Sequence, residues 1–169
     1  FYKQGNRSGS CALYLSTWHR DILEFLELRL PIGEELNRAR DLFIAASIDD
    51  VFMKALTGSK KYHLFCPNDI KEAGLKPFHT IHGEEFENEY NKAVELGLGH
   101  EIEPRKIWDA LIRSQVESGT PYVFYKDNAN KRNMQDNIGT ISQSNLCIEI
   151  MQASKPGYTP QCTLASVNL

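Results

Sequence analysis

Long apolar runs are missing from this sequence. None of its hydrophobic stretches approaches the roughly 18 residues that a membrane-crossing helix needs, so no membrane span is expected. No basic stretch followed by an apolar one opens the chain, so no secretory signal is read there. Neither charge sign dominates: 19 Lys and Arg against 22 Asp and Glu leave a formal net charge of −3, which gives no broad electrostatic case for nucleic acid as a partner. Cysteine is sparse, at Cys11, Cys66, Cys147 and Cys162, with neither a C-x-x-C pair nor the spacing of a zinc site. A chain of 169 residues with an ordinary core needs no disulfide framework. The thiols are therefore read as those of a reducing, cytoplasmic compartment, redox-active rather than structural. Internal repeats, low-complexity tracts and domain boundaries are also missing, so residues 1–169 read as a single segment.

What is present is an ordinary globular composition, 41% hydrophobic and 24% charged. Gln4 to Ser10 is rich in glycine and serine and reads as a mobile loop. Cys11 to Leu15 is apolar enough for a buried strand, which would give Cys11 a packing role. Asp21 and Glu24 open a short helix over Ile22 to Leu28, closed by Pro31 and Gly33. Asp41 to Ile48 reads as a buried strand. Asp49 or Asp50 then caps a helix over Val51 to Leu56, stopped by Gly58. Tyr62 to Cys66 reads as a strand ended by Pro67, with Cys66 structural. Phe86, Tyr90, Ala93 and Val94 recur at helical spacing, which predicts an amphipathic helix over Glu84 to Leu96. A second helix starts at Pro104 and carries Ile107, Trp108, Leu111, Ile112 and Val116 on one face. Tyr122 to Tyr125 reads as a strand, and Asp127 to Gly139 as a polar link. Strands at Asn145 to Ile150 and Thr163 to Leu169 are expected to finish the chain. Strands alternating with helices place the fold in the α/β class.

Two groups of residues invite a chemical reading. In an extended strand, residues i, i+2 and i+4 share a face, so Asn145, Cys147 and Glu149 would point at one bound molecule. An amide, a thiol and a proton-accepting carboxylate together suit a polyhydroxylated substrate. His79 and His82 lie before a helix rather than at i, i+4 within one, and read as solvated loop residues rather than metal ligands. His19 reads as a hydrogen-bonded turn residue. Glu84, Glu85, Glu87 and Glu89 complement the dipole at a helix start.

The longer strings point to a family. NLCIEI followed by CTLASVNL resembles the large subunit of class I ribonucleotide reductase. QGNRSG, ALYLSTWHRDILEFLELR, NRARDLF, DDVFMKAL, LFCPND, GEEFENEY and SGTPYVFYKDNANK resemble that family in the same order. The likeness covers essentially the whole chain and implies part of a ten-stranded α/β barrel, the central catalytic portion of a longer protein. A start other than Met and an apolar finish agree with a piece of a larger chain, one expected to be inactive alone.

The resemblance implies specific roles. Cys147 would carry a thiyl radical that takes the hydrogen from the ribose 3′ carbon, Glu149 would accept the 3′-hydroxyl proton, and Asn145 would hold the ribose hydroxyls. Cys162 would supply reducing equivalents and end in a disulfide, with a partner cysteine that is neither Cys11 nor Cys66. Gln4, Arg7 and Gly9, in the glycine-rich loop, would lie between an effector nucleotide (ATP or a dNTP) and the substrate base. The substrate would be a ribonucleoside diphosphate, with no cofactor bound by this chain and the radical made by a separate metal-bearing small subunit. A large-subunit homodimer and thioredoxin or glutaredoxin are the other implied partners. Two other readings are a cobalamin-dependent class II reductase and a non-catalytic reductase-like interaction or regulatory module. The WHRDILEFLELR and NRARDLF strings favour class I, and the presence of both Cys147 and Glu149 favours a catalytic chain.

Overall fold

The expected alternation of strands and helices is present, and it is organised on a three-stranded parallel sheet. The computed structural model describes the backbone of residues 3, 4 and 7–168 and the side chains of residues 9–168. In chain order the elements are β1 (Lys3–Gln4), β2 (Arg7–Ser8), β3 (Ala12–Ser16), α1 (Ile22–Glu27), β4 (Phe43–Ile48), α2 (Asp50–Thr57), β5 (Tyr62–Leu64), α3 (Pro67–Glu72), α4 (Gly83–Glu95), β6 (His100–Ile102), α5 (Pro104–Ser118), β7 (Tyr122–Tyr125) and α6 (Lys126–Lys131). Single 3-10 turns lie at Glu35–Asn37 and Phe78–Thr80. β4 runs between β3 and β7, parallel to both, with Ala45 in register with Tyr14 on one side and Tyr122 on the other. β1 pairs with β2, and β5 with β6, in antiparallel register.

Strand alternation gives the parallel sheet two different faces. Ile44, Ala46 and Ile48 face the helices, where Leu15 and Val123 pack beside them. Tyr14, Ala45, Ser47, Tyr122 and Phe124 take the other face; Tyr14 meets Phe124 edge-on at 6.2 Å between ring centroids. On the helix side, α5 packs against α1 and α2. A set of edge-to-face aromatics extends the core away from the sheet: Trp18 on Phe78 at 5.2 Å, Phe65 on Phe78 at 5.4 Å, and Phe78 on Phe86 at 5.2 Å. Each such ring adds about 1.5–3 kcal/mol by burial alone.

Local chemistry explains where the helices begin and end. Asp49 caps α2, its Oδ1 accepting from Phe52 N–H at 2.8 Å. Pro104 occupies the first turn of α5, where a missing N–H costs nothing. Gly119 ends that helix with φ +75°, a left-handed conformation that a side chain would strain.

Several expectations are corrected. Asn145 to Ile150 is not a strand but a turn, and residues 163–168 form neither helix nor strand. Part of the supposed polar link after Tyr125 is the helix α6, in which Lys126, Asp127 and Asn130 are buried. The buried face of α5 runs through Pro104, Ile107, Leu111 and Ser114, while Ile112 and Val116 are 41% and 82% exposed. Cys11 precedes β3 and is exposed, so it does not pack in a core. Cys66 instead stands at the N-cap position of the helix α3, which the sequence reading missed.

Candidate functional site

The turn at 144–150 is built by side chains that take over backbone hydrogen bonds. Asn145 Oδ1 accepts from the N–H groups of Glu149 at 3.1 Å and Ile150 at 3.2 Å. The Ser144 hydroxyl donates to the Ile150 carbonyl at 2.7 Å, closing the turn across its base. Ile148 reaches φ +66°, an uncommon conformation for a β-branched residue that the surrounding bonds must hold. Short polar side chains that bond nearby N–H groups compete directly with strand formation, and here they win. Alternation along a strand therefore does not describe Asn145, Cys147 and Glu149. They lie on a stretch of chain that curls around the Asn145 amide.

Cys147 and Glu149 are exposed on this turn, and Cys147 is a free thiol. Asn145 is half-buried. Its amide oxygen is committed to the turn, which leaves the Nδ2 hydrogens to hold a ligand. That narrows the sequence reading, in which the amide offered both donors and an acceptor.

The turn lies against the sheet face that carries Tyr14. The Tyr14 hydroxyl donates to the Asn145 carbonyl at 2.6 Å. Burial holds the Tyr14 phenol above its ordinary value, the Ser144 hydroxyl works against this, and the charges of Glu149, Tyr122 and Cys147 add to it. Tyr14 is thus bonded to the turn that carries both the thiol and the carboxylate. The turn also borders a cleft of about 660 Å³, lined by Ile148 and Met151 together with Phe124 of β7 and Asn128, Ala129 and Arg132 of α6; Asn145, Cys147 and Glu149 are not among its lining residues.

α6 supplies a second anchor. Its Asn130 is buried and grips both backbone groups of Ile141: Nδ2 donates to the carbonyl at 2.9 Å, and Oδ1 accepts the N–H at 2.8 Å. Asp127 accepts from Asp50 N–H at 2.6 Å and Gly83 N–H at 2.7 Å, so one carboxylate receives the first N–H of both α2 and α4. Lys126 Nζ donates to the carbonyls of Phe78 at 3.0 Å and His79 at 3.1 Å. Burial pushes the Lys126 amine down to about 8, although the Asp49 and Asp127 charges work the other way. Burial likewise pushes the Asp49 carboxyl up to about 6; the Phe52 N–H opposes this, Asp127 reinforces it, and Tyr62 and Thr17 oppose it with hydroxyl bonds. The sequence reading missed this junction. Its signal was polar residues at i, i+1 and i+4 in Lys126, Asp127 and Asn130, one inward helical face.

The remaining site residues are less drawn together. Cys162 is a free, exposed thiol in the stretch without helix or strand, and the interactions that tie the turn to Tyr14 do not include it. The side chains of Gln4 and Arg7 lie outside the described residues; their backbones pair across β1 and β2, and Gly9 is exposed beyond them. His82 is not simply solvated, since its Nδ1 lies 3.1 Å from the Thr140 hydroxyl. His19 accepts from Asp21 N–H through Nδ1 at 3.2 Å, the expected turn role.

A family model described as the ribonucleotide reductase barrel domain matches residues 1–169. A ribonucleoside-diphosphate reductase large subunit of Plasmodium falciparum is 44% identical over 166 residues, which is 98% of this chain and 20% of that protein. One of Arabidopsis thaliana is 43% identical over the same shares. The large chain 2 of Saccharomyces cerevisiae is 42% identical over 163 residues, 96% of this chain and 18% of that protein. The chain therefore spans about a fifth of the length of the relatives it matches. With a family model covering it from end to end, the chain belongs to the ribonucleotide reductase barrel-domain family.

Proposed function

We propose that this chain is the part of a ribonucleoside-diphosphate reductase large subunit that bears the radical thiol and the base. The observation that carries this reading is the turn itself, which carries Cys147 and Glu149 exposed on one short loop that Tyr14 ties to the sheet. Cys147, as a thiyl radical, takes the hydrogen atom from the ribose 3′ carbon, so an S–H bond forms as a C–H bond breaks. Glu149 accepts the proton of the 3′ hydroxyl as general base. Asn145 holds the ribose hydroxyls through its Nδ2 donors. Cys162 is the reductant thiol; it ends in a disulfide with a cysteine from elsewhere in the whole protein, and thioredoxin or glutaredoxin restores it.

A separate metal-bearing small subunit supplies the radical. Gln4, Arg7 and Gly9 relay the effector nucleotide to the choice of substrate base. The large subunits work as a homodimer in the cytoplasm. Among the described residues no helix is long and apolar enough to cross a membrane. The names of the relatives favour the diphosphate-reducing class I branch over a cobalamin-dependent enzyme.

The test is Cys147→Ser in the full-length enzyme assembled with its small subunit. Deoxynucleotide formation is expected to vanish while nucleotide binding stays near normal, because a serine O–H bond is too strong to yield a usable radical. Glu149→Gln is expected to keep radical entry and lose turnover, since an amide does not take up the hydroxyl proton. Substantial product from Cys147→Ser overturns the reading.

A further inference from the structure

We propose that Tyr14 is the positioning residue of the Cys147 turn, its phenol fixing the Asn145 carbonyl against the sheet and thereby fixing the thiol and the base. The inference rests on the reading of Cys147 and Glu149 given above.

Internal bonds give the turn its shape but not its place. The Asn145 amide joins the turn to itself, and the Ser144 hydroxyl, which also acts on the Tyr14 phenol, closes it across its base. Placement requires a bond to something rigid. Asn130 grips Ile141, but irregular chain then runs from Ile141 to Cys147. A clamp that far upstream does not hold a reacting atom to the half-ångström that such a site needs. Tyr14 bonds the turn directly, at 2.6 Å, from a residue 131 positions earlier in the chain.

The tyrosine is itself held on a stiff base. It sits on β3, whose residues pair in continuous register with β4 from Ala12 to Ser16. Its ring rests edge-on against Phe124, which is buried on the third strand of the same sheet. Burial above all keeps the phenol protonated, so it remains a donor at any working pH. The attachment point, the Asn145 carbonyl, lies two residues before Cys147 and four before Glu149. Misplacing a reacting group by about 1 Å costs on the order of 100-fold in rate. Losing this tie is expected to cost about 10- to 100-fold.

The experiment compares Tyr14→Phe, Ser144→Ala and the double variant in the full-length enzyme with its small subunit, with Cys147→Ser as reference. Tyr14→Phe keeps the ring and removes only the donor. It is expected to lower kcat about 10- to 100-fold with KM changed less than about threefold. Ser144→Ala loosens the turn from within, so adding Tyr14→Phe to it should cost clearly less than the single change does. Amide exchange on the same full-length enzyme gives a second measurement: Tyr14→Phe should speed exchange at Glu149 and Ile150 while leaving α4 and α5 unchanged.

Parent-like kcat in Tyr14→Phe, with Cys147→Ser inactive, overturns the positioning role and leaves the reading of Cys147 standing. An equal loss with and without Ser144→Ala overturns it too, because Tyr14 would then not act through the turn. So does faster exchange spread across the helices, the mark of a packing residue. If Cys147→Ser still makes product, the catalytic reading fails, and unchanged exchange at Glu149 and Ile150 would show separately that Tyr14 does not hold the turn.

Discussion

Replacing Asp127 with Ala tests whether the buried junction at α6 holds the helices in place. Asp127 is 2% exposed, and its two oxygens receive the first N–H of α2 at 2.6 Å and of α4 at 2.7 Å. Both are charge-assisted bonds at helix N-termini, where a negative charge is also favoured by the helix dipole. Alanine would leave two half-buried donors without this partner, at about 1–3 kcal/mol each. It would also remove an anion that helps compensate Lys126. Against this, the repulsion that Asp127 exerts on Asp49 would be relieved. The expected net loss is about 3 kcal/mol. Urea unfolding of this chain, followed by circular dichroism, measures it. With a slope of about 1–3 kcal/mol per molar for a protein of this size, the midpoint should fall by about 1–3 M. Asp127→Asn keeps one acceptor and should lose roughly half as much. A midpoint shift under about 0.3 M for the alanine variant would refute the shared-cap argument, as would an asparagine variant no better than alanine.

Asn130→Ala removes three hydrogen bonds, to Lys126 O at 2.9 Å and to both backbone groups of Ile141. It should cost about 2–4 kcal/mol and speed amide exchange at Ile141 more than in α4; protection there equal to the parent would count against the clamp. Stability should respond to pH in two windows. Asp49 is raised from 3.8 to about 6 in the fold, so the folded state holds a proton that the unfolded chain has lost, and its contribution falls as pH rises from about 4 to about 6, by roughly 3 kcal/mol. Lys126 is lowered from 10.5 to about 8, so the unfolded chain holds the extra proton and stability should rise with pH between those values. NMR titration of the two side chains checks both, and an Asp49 midpoint below 4 would refute the first.

The sequence reading located most of the scaffold because those elements are coded locally. Asp49 before an apolar run and Gly58 after it bracket α2. The spacing of Phe86, Tyr90 and Ala93 marks α4, and all three are buried. Phe43 to Ile48 is short, apolar and central, as a strand buried on both faces must be. The face of α5 was only half legible. Periodicity groups Ile112 and Val116 with Ile107 and Leu111, but contact with α1 and α2 selects the side that carries Ser114.

By itself, the sequence determined the α/β class and the family, because motif strings and periodicity are properties of neighbouring positions. Only the tertiary structure decided the local backbone that carries Asn145, Cys147 and Glu149. The pattern Asn145, Cys147, Glu149 alternates like a strand, yet the Asn145 side chain captures the N–H groups of Glu149 and Ile150 and bends the chain into a turn. Lys126, Asp127 and Asn130 look like solvated link residues, yet they are buried because their partners are backbone groups of distant segments. Tyr14 carried no signal of its own in the chain. Its role exists only because the parallel sheet sets its hydroxyl under a carbonyl 131 residues away. Hydrogen bonds that satisfy buried polar groups depend on which segments meet in space, and one-dimensional pattern does not encode that meeting.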